Sequence, residues 1–331
     1  MAQPNANYTD IMATTIESRS RKIQDNVTNN NYFLKKMNSR GNVRTFSGGT
    51  KILEEISFAE NGNTGWYSGY DILPVGVSEV ISTAEFEIRQ AAVPVVMSGL
   101  EMLKNSGREQ MIDLMRARIK VAESSMSNLI AEGLYSDGTA AGGKQIEGLG
   151  AALTLDPTTS GAYGGIDAGD AGSEFWANQV SQPAGGVTSA TIQQAWNGLW
   201  SSQVRGNDRP DLIMTDNTVW EIYVASLQAN QRFSNTNDAD AGFVTIKYMD
   251  ADVCLDGGIY DFGRTGAAGG VAYFLNTDYM HYRPHSSRNM VPLAPNRRYA
   301  TNQDAEVQIL AWAGNLTCSG RKFQGLFDNN G

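Results

Sequence analysis

The residues whose spacing best suits chemistry lie in a glycine-rich stretch, LYSDGTAAGGKQIEGLG, at positions 134–150. A phosphate-binding loop requires G-x-x-x-x-G-K-[ST], in which backbone N–H groups and the lysine bind phosphates and the hydroxyl binds magnesium. Gly138, Gly143 and Lys144 match this spacing, but Gln145 stands where the hydroxyl is required. The stretch follows a long helical pattern, whereas a phosphate-binding loop follows a strand. The sequence therefore predicts a glycine-rich turn after a helix, with a P-loop nucleotide-binding enzyme as an alternative.

The histidines and cysteines are the next candidates for metal binding and nucleophilic catalysis. His281 and His285 have the i, i+4 spacing of a helical zinc site. Pro284 and the strand-like flanks predict extended backbone, which places the rings roughly 13 Å apart. We therefore predict no shared metal, and a surface or interface position for both rings. Cys254 and Cys318 form no spaced cluster, so they are predicted to be buried thiols in a reducing compartment.

Charged groups offer two further candidates. Closely spaced carboxylates in strand-like sequence point to opposite faces or line a solvated face, and we predict a surface position for Glu54, Glu55, Glu85 and Glu87. Arginines, which bind phosphate bidentately, are concentrated in RPHSSRNMVPLAPNRRY. In an acidic chain we favour salt bridges across subunit boundaries for Arg283, Arg288, Arg297 and Arg298. With no G-x-S-x-G motif in the sequence, we predict no catalytic, cofactor-binding or metal-binding residue and no cofactor.

The composition limits the classes of protein to which the chain can belong. Its 331 residues suffice for about two domains. The formal net charge is −9, which disfavours a dedicated nucleic-acid binder. Charged residues make up only 18% of the chain, a composition that suits a subunit with much of its surface in contacts. The densest apolar run, AAVPVVM, is too short to span a membrane, and the first residues show no secretory signal.

The first half of the chain predicts an arm, a hairpin, a strand and a long helix. Residues 8–38 are polar with short helical patterns, typical of an arm that packs on something else. KILEEISFA and WYSGYDIL flank a turn and predict a hairpin, which needs a neighbouring element or subunit for support. Alternation over 84–97 predicts a half-buried strand. A capping box and apolar residues at three- and four-residue steps predict a helix over 107–132, with Ser106, Glu109, Met111, Met115, Ile119, Ala122, Met126 and Leu129.

The second half predicts an α/β unit after a loop-rich boundary at 151–187. A helix is predicted from Ile192 to near Gly206, followed by the short buried strand PDLIM and a second helix that begins near Asn217. Strand patterns return at FVTIKYMDADVCL, VAYFLNTDYMHY and EVQILAWAGNLTC.

In its order of elements the chain resembles the major capsid protein of tailed bacteriophages, whose fold is also seen in encapsulin shells and the floor of herpesvirus capsids. The segments that carry the resemblance are GLEMLKNSG before the long helix, LYSDGT with a nearby IEGLG, YGGIDAGDAGSEFWANQV, and PDLIMTDNTVWEIY. The resemblance covers nearly the whole chain from Ala13 onward. Its specificity comes from several such segments in the right order.

The resemblance implies an α+β fold with the parts of a capsid protein. By position, it implies an N-terminal arm at 1–43 and an extended hairpin loop at 44–83 that lies on the adjacent subunit. It further implies a peripheral domain at 84–150 and 300–331, with the long helix as its spine, and an axial domain at 151–299. The glycine-rich stretch is then a turn beside the spine helix.

The resemblance also implies assembly through pentamers and hexamers into an icosahedral head shell around the double-stranded DNA of a phage, in the cytoplasm of the bacterial host. The implied partners are other copies of the chain, a portal, a cement or decoration protein, and DNA contacted without sequence specificity. The polar arm is too short for a cleaved scaffolding segment, so we expect a separate scaffolding protein. Some capsid proteins of this fold form covalent lysine–asparagine crosslinks between subunits. No particular lysine and asparagine stand out in this sequence as such a pair, so we predict no crosslink of this kind. An encapsulin-like compartment is the structural alternative.

Overall fold

The computed structural model describes residues 31–100, 108–227, 245–256, 259, 270–293, 298–299 and 305–329. Within them the chain forms an α+β arrangement of two sheets and a separate two-stranded ribbon. The helices are α1 (Tyr32–Ser39), α2 (Arg108–Tyr135), α3 (Leu149–Ala152), α4 (Ile192–Gln203) and α5 (Asn217–Leu227). The strands are β1 (Lys51–Ser57), β2 (Ile81–Glu87), β3 (Arg89–Ser98), β4 (Gln179–Ser181), β5 (Leu212–Thr215), β6 (Thr245–Tyr248), β7 (Ala251–Leu255), β8 (Val271–Leu275), β9 (Met280–Pro284), β10 (Val291–Pro292), β11 (Arg298–Tyr299), β12 (Ala305–Cys318) and β13 (Gly325–Asp328). The helical patterns predicted in the arm before residue 31 lie outside the described residues.

β12 forms the centre of the five-stranded sheet, because its length allows it to pair along both edges. β3 runs antiparallel along one edge, with Arg89 opposite Gly314 and Ser98 opposite Ala305. The other edge pairs in succession with β9, β10 and β11. Pro94 fits within β3 because, among the described strands, β3 pairs with β12 alone and has a free edge. The predicted strand EVQILAWAGNLTC is confirmed as β12.

α2 packs against β3 and is close to its predicted length, ending three residues beyond the predicted 107–132. Its side chains are described from residue 117 onward, where the buried apolar and aromatic residues are Ile119, Ala122, Met126, Ile130, Leu134 and Tyr135. Leu129, predicted on the packed face, is 40% exposed. Ile130 takes that place, because a step of four residues from Met126 returns to the same side of a helix. Outside the described side chains lie Ser106, Glu109, Met111 and Met115.

The six-stranded sheet has the order β4-β13-β8-β5-β7-β6 and is buried on both faces. In β5, Leu212 and Met214 belong to the apolar core that also contains the α2 side chains. Ile213 points to a second core beneath α4 and α5. There the ring centroid of Trp196 lies 4.6 Å from that of Tyr223. Burial on both faces explains why this strand is a continuous apolar run, and the predicted α/β unit is confirmed.

β1 and β2 form an antiparallel ribbon, from Lys51 opposite Glu87 to Ser57 opposite Ile81. Residues 58–80 connect the two strands without any strand of their own. The predicted strand at WYSGYDIL is therefore wrong, and the strand predicted over 84–97 is divided between β2 and β3. The connection is rich in residues that disfavour a regular strand, namely Gly62, Gly65, Gly69, Pro74 and Gly76.

The two sheets do not follow the domain boundaries that the resemblance implied. β9, β10 and β11 fall within the segment 151–299, yet they pair with β12 in the five-stranded sheet. β13 falls within 300–331, yet it lies between β4 and β8 in the six-stranded sheet. The chain thus crosses between the sheets more often than a division at residue 300 allows, because distant strand pairing leaves no local sequence pattern.

Candidate assembly surface

Residues 58–80, here called the projecting loop, expose a run of large apolar side chains. Trp66, Tyr70 and Val77 have exposures of 106%, 105% and 102%, as high as in an extended peptide. The full set of exposed large apolar residues in the loop is Trp66, Tyr67, Tyr70, Ile72, Leu73, Val75 and Val77. Contiguous apolar surface of this kind marks a place where a soluble protein binds another molecule.

Hydrogen bonds within the projecting loop give it a shape without covering its apolar side chains. Asn63 Nδ2 donates to the Gly76 carbonyl at 2.6 Å, and the Gly76 N–H donates back to Asn63 Oδ1 at 3.3 Å. Closer to the tip, the Ser68 N–H donates to Asp71 Oδ2 at 2.8 Å. A loop that is already ordered in this way loses less entropy when a partner covers it.

A buried ion pair fixes the ribbon on the five-stranded sheet. The carboxylate of Glu54 in β1 lies 3.1 Å from Arg283 Nη1 in β9 and accepts a hydrogen bond from Thr317 Oγ1 at 2.9 Å. The Glu54 side chain is only 8% exposed, so its predicted surface position is wrong. Arg283, for which we favoured a salt bridge across a subunit boundary, pairs with Glu54 within its own chain. Glu54 can be buried because each charge offsets the cost of burying the other.

The other charged candidates lie nearer to solvent. Glu55, Glu85 and Glu87 are exposed as predicted, and Glu85 pairs with Lys51 Nζ at 2.5 Å across the ribbon. Arg288 is exposed and donates to Gln90 Oε1 at 2.9 Å. The side chains of Arg297 and Arg298 lie outside the described part of the chain.

The two histidines occupy different environments on β9 and just after it. His281 is 4% exposed, so the predicted surface or interface position is wrong for this ring. Burial lowers its pKa to about 4, and the positive charges of Arg44 and Arg283 act in the same direction. His285 is half-buried, and its ring centroid lies 4.9 Å from that of Phe46 in an edge-to-face contact. Across the described ranges, no group of three or more His, Cys, Asp or Glu residues is placed to hold a metal ion.

The cysteines and the glycine-rich turn lie where the sequence predicted them. Cys254 and Cys318 are buried thiols outside any disulfide, and burial raises the pKa of Cys318 to about 12, which keeps it protonated. The glycine-rich stretch follows α2, not a strand. Positive φ angles at Gly138, Ala141, Gly142 and Gly143 turn the chain there. Arg89 holds the turn by donating to the Gly143 carbonyl and pairing with Glu147 at 2.7 Å.

Two features of this surface were missed by the sequence predictions. The apolar residues of the projecting loop were assigned to a strand, although the repeated glycines and Pro74 indicated an irregular segment. The buried position of Glu54 also had a signal, since Ile52 and Ile56 flank it at two-residue steps and are 2% and 3% exposed. Because Glu54 lies on the same face of the strand as these two isoleucines, the alternation predicts a buried position for it. Nothing in the neighbouring sequence identifies Arg283 as its partner.

The fold is that of the shell proteins of tailed-phage capsids, and the resemblance predicted from the sequence is confirmed at this level. Cyanophage A-1(L) provides one such capsid structure, with a TM-score of 0.63 and 15% identity over 87% of this chain and 90% of the capsid chain. The capsid of a native GTA particle gives a TM-score of 0.57 and 9% identity over 88% and 89% of the two chains. The holo-SrpI encapsulin complex from Synechococcus elongatus PCC 7942 gives 0.53 and 7% identity over 87% and 85%.

The TM-scores over most of each chain establish a shared fold, while identities of 15% or less show that the sequences have diverged widely. The sequence itself matches no protein-family model and no curated protein. In the part of the chain that the structure describes, no helix is long and apolar enough to cross a membrane.

Proposed function

We propose that the chain is a major capsid protein, a non-enzymatic subunit that assembles through pentamers and hexamers into the icosahedral head shell around the double-stranded DNA of a tailed bacteriophage. The fold shared with capsid structures over 87% of the chain supports this proposal. Because a fold alone does not determine function, the observation that carries the proposal is the projecting loop. Its apolar side chains are exposed in the single chain, and another copy of the chain would cover them.

The parts of the subunit follow from this proposal, with boundaries set by the two sheets. The ribbon with its projecting loop at 44–83 reaches a neighbouring subunit. The arm at 1–43 packs in part on its own chain, where α1 buries Phe33, Leu34 and Met37. The five-stranded sheet with α2 forms the peripheral domain. The six-stranded sheet with α4 and α5 forms the axial domain, which faces the five- and sixfold axes.

Further partners belong to the same proposal. A separate scaffolding protein, a portal and a cement or decoration protein act with the shell during its assembly in the host cytoplasm. Packaged DNA contacts the inner surface without sequence specificity. The net charge of −9 supports weak, salt-sensitive contact in preference to tight binding. Tight binding of DNA by empty shells at physiological salt would contradict this part of the proposal.

An encapsulin-like compartment is the second candidate, because the SrpI encapsulin has the same fold with a TM-score of 0.53. The two candidates differ in what the shell contains. Particles isolated from the source cells would hold nuclease-protected genomic DNA if the chain is a capsid protein. They would hold a protein cargo and no genome if it is a compartment.

Sedimentation velocity of the purified chain over a concentration series tests self-assembly directly. We expect species of the size of pentamers and hexamers, whose fraction rises with concentration because association is a mass-action equilibrium. Uniform closed shells formed by the chain alone would contradict the need for a separate scaffolding protein. Electron microscopy of the fastest fraction then reports whether the particles are closed. A strict monomer at every concentration would contradict assembly by the chain alone.

A further inference from the structure

An asparagine followed by a glycine, Asn61–Gly62, lies at the entry to the projecting loop, and we infer that this pair is a site of spontaneous deamidation. Both residues are exposed and lie outside any helix or strand. In this reaction the backbone nitrogen of the second residue attacks the side-chain amide carbon of the asparagine. Glycine favours the reaction because it has no Cβ to obstruct the attack and its backbone turns freely.

The local hydrogen bonds hold the Asn61 side chain in a turn beside the Gly62 peptide. Asn61 Oδ1 accepts from the Asn63 N–H at 3.0 Å, so the side-chain amide is folded over the intervening peptide of Gly62. The Asn61 carbonyl accepts from the Thr64 N–H at 3.0 Å, which holds the same turn from the backbone side. The Gly62 N–H has a long contact of 3.4 Å to Ser78 Oγ. The attacking nitrogen is therefore held by a weak hydrogen bond, while the carbonyl it attacks is polarised by a good one.

The reaction requires no reagent other than water and a base. The Gly62 nitrogen gives its proton to hydroxide and forms a bond with Cγ of Asn61. The bond between Cγ and the side-chain nitrogen breaks, and that nitrogen takes up a proton and leaves as ammonia. The resulting five-membered succinimide adds one water molecule and opens to aspartate or to isoaspartate, in which the backbone passes through the former side-chain carbon.

A second pair of the same composition provides a comparison within the chain. Asn197–Gly198 is also exposed, but it lies inside α4. The helix directs each interior N–H to the carbonyl four residues earlier and holds it away from the preceding side chain. Asn197 Oδ1 also accepts a hydrogen bond, from the Tyr248 hydroxyl at 2.7 Å, so a polarised side-chain amide is common to both pairs. Both pairs are therefore exposed, and the difference in backbone conformation is what should make Asn61 deamidate and Asn197 not.

Deamidation would change the charge and the path of the projecting loop. A new carboxylate would stand beside Glu60, and isoaspartate would add one atom to the backbone between Asn61 and the clip formed by Asn63 with Gly76. On the proposed function, on which this consequence rests, a subunit that ages before assembly would bind its neighbours more weakly. A loop already covered by a neighbour would be protected.

The site is tested by peptide mass spectrometry on the purified, folded chain after incubation in mildly alkaline buffer. We expect a gain of about 1 Da, from replacement of NH₂ by OH, in the peptide that contains Asn61 and none in the peptide that contains Asn197. The gain should grow faster as pH rises, because the attacking nitrogen must lose a proton. The variant Gly62→Ala should slow it strongly while keeping the fold, since an added Cβ meets nothing within 4 Å and φ is not in the left-handed region.

Two outcomes would overturn the inference. One is the absence of a mass gain at Asn61, and the other is an equal gain at Asn197, which would remove the role of backbone conformation. In the chain unfolded by urea, both peptides should gain mass, because Asn61 and Asn197 can each deamidate when no folded structure constrains them.

The consequence for assembly has a separate measurement. Aged wild-type chain should associate more weakly than fresh chain in sedimentation, and aged Gly62→Ala should not change. If the mass gain occurs and association does not change, the effect on assembly is rejected. If the chain never associates, assembly by the chain alone is contradicted, whereas the mass measurement still decides the site.

Discussion

The buried pair of Glu54 and Arg283 is the residue-scale feature with the largest structural role, because it links the ribbon to the sheet beneath. Removing one partner leaves the other charge buried, so we expect Glu54→Leu or Arg283→Met to lower the free energy of unfolding by about 3 kcal/mol. The double variant should lose less than the sum of the two, because it removes both charges. Urea unfolding of the four proteins measures this coupling.

An exposed neighbour provides the control for that cycle. Glu55→Leu makes the same chemical change on the opposite side of β1, and we expect a change within about 0.5 kcal/mol. Strictly additive losses in the double variant would contradict a buried ion pair between Glu54 and Arg283.

His281 makes the stability of the chain depend on pH. Its folded pKa of about 4 lies below the ordinary value of 6.5, so the unfolded chain takes up a proton first as pH falls. Stability is then full above pH 6.5, declines between pH 6.5 and 4, and levels off below, with a loss of at most about 3 kcal/mol. Arg44 and Arg283, which face the ring, disfavour its charged form further.

Urea unfolding at neutral and mildly acidic pH compares the wild-type chain with His281→Gln, which cannot titrate in this range. The difference in unfolding free energy between the two proteins should shrink as the pH falls, because the variant lacks the proton uptake of the unfolded imidazole. An unchanged difference over this range would contradict the neutral, buried state of His281. The subtraction removes the contribution of carboxylates that are common to both proteins.

At the scale of elements, the β6–β7 hairpin contains a strained residue. Tyr248 pairs with Ala251, so Met249 and Asp250 form a two-residue turn, and Met249 has a φ of 51°. A side chain there costs about 1 kcal/mol, and glycine is preferred where such turns need a positive φ at the first position. We expect Met249→Gly to raise the free energy of unfolding by about 0.5 kcal/mol after the entropy of the glycine is deducted.

Thermal unfolding of the hairpin variants measures this effect. Met249→Val should lower the melting temperature instead, because a β-branched residue is least compatible with a positive φ. Met249→Leu is the matched control and should behave like the wild-type chain. A stabilising Val variant would contradict the strain assigned to this turn.

Sequence periodicity predicted correctly those elements whose buried face is specified by their own residues. α2, α4 and β12 repeat their apolar residues over many positions, so one face is specified whatever packs against it. The projecting loop differs, because its aromatic residues have a strand-like composition but no strand to pair with in the described chain. The β-propensity of a residue measures how well its side chain fits a half-buried sheet. It therefore predicts a strand wrongly where no sheet is present to pair with.

At the scale of the whole molecule, the projecting loop should contribute to association and not to folding. We expect the double variant Trp66→Ser with Tyr70→Ser to keep its unfolding free energy within about 0.5 kcal/mol, since both side chains are already exposed. Its self-association should weaken by about 30-fold or more, because buried aromatic residues dominate binding at interfaces. Sedimentation velocity and urea unfolding measure the two quantities separately.

An exposed apolar residue outside the loop is the control. Val121 on α2 is 65% exposed, and Val121→Ser should leave association unchanged if the loop is the contact surface. Equal weakening by both changes would indicate a general effect of surface apolarity, and loss of stability in the loop variant would show that the loop supports its own chain.

By itself, the sequence determined the α+β class, the long helix, the buried cysteines, the turn after α2 and the resemblance to the fold of tailed-phage capsid proteins. These depend on periodicity, residue type and order along the chain, all of which are local or cumulative properties. Only the tertiary structure decided the partner of Glu54, the burial of His281, and the placement of β9 and β13 in their respective sheets. Each of these depends on contact between residues far apart in sequence, because strand pairing and ion-pair burial are set by which distant segments meet.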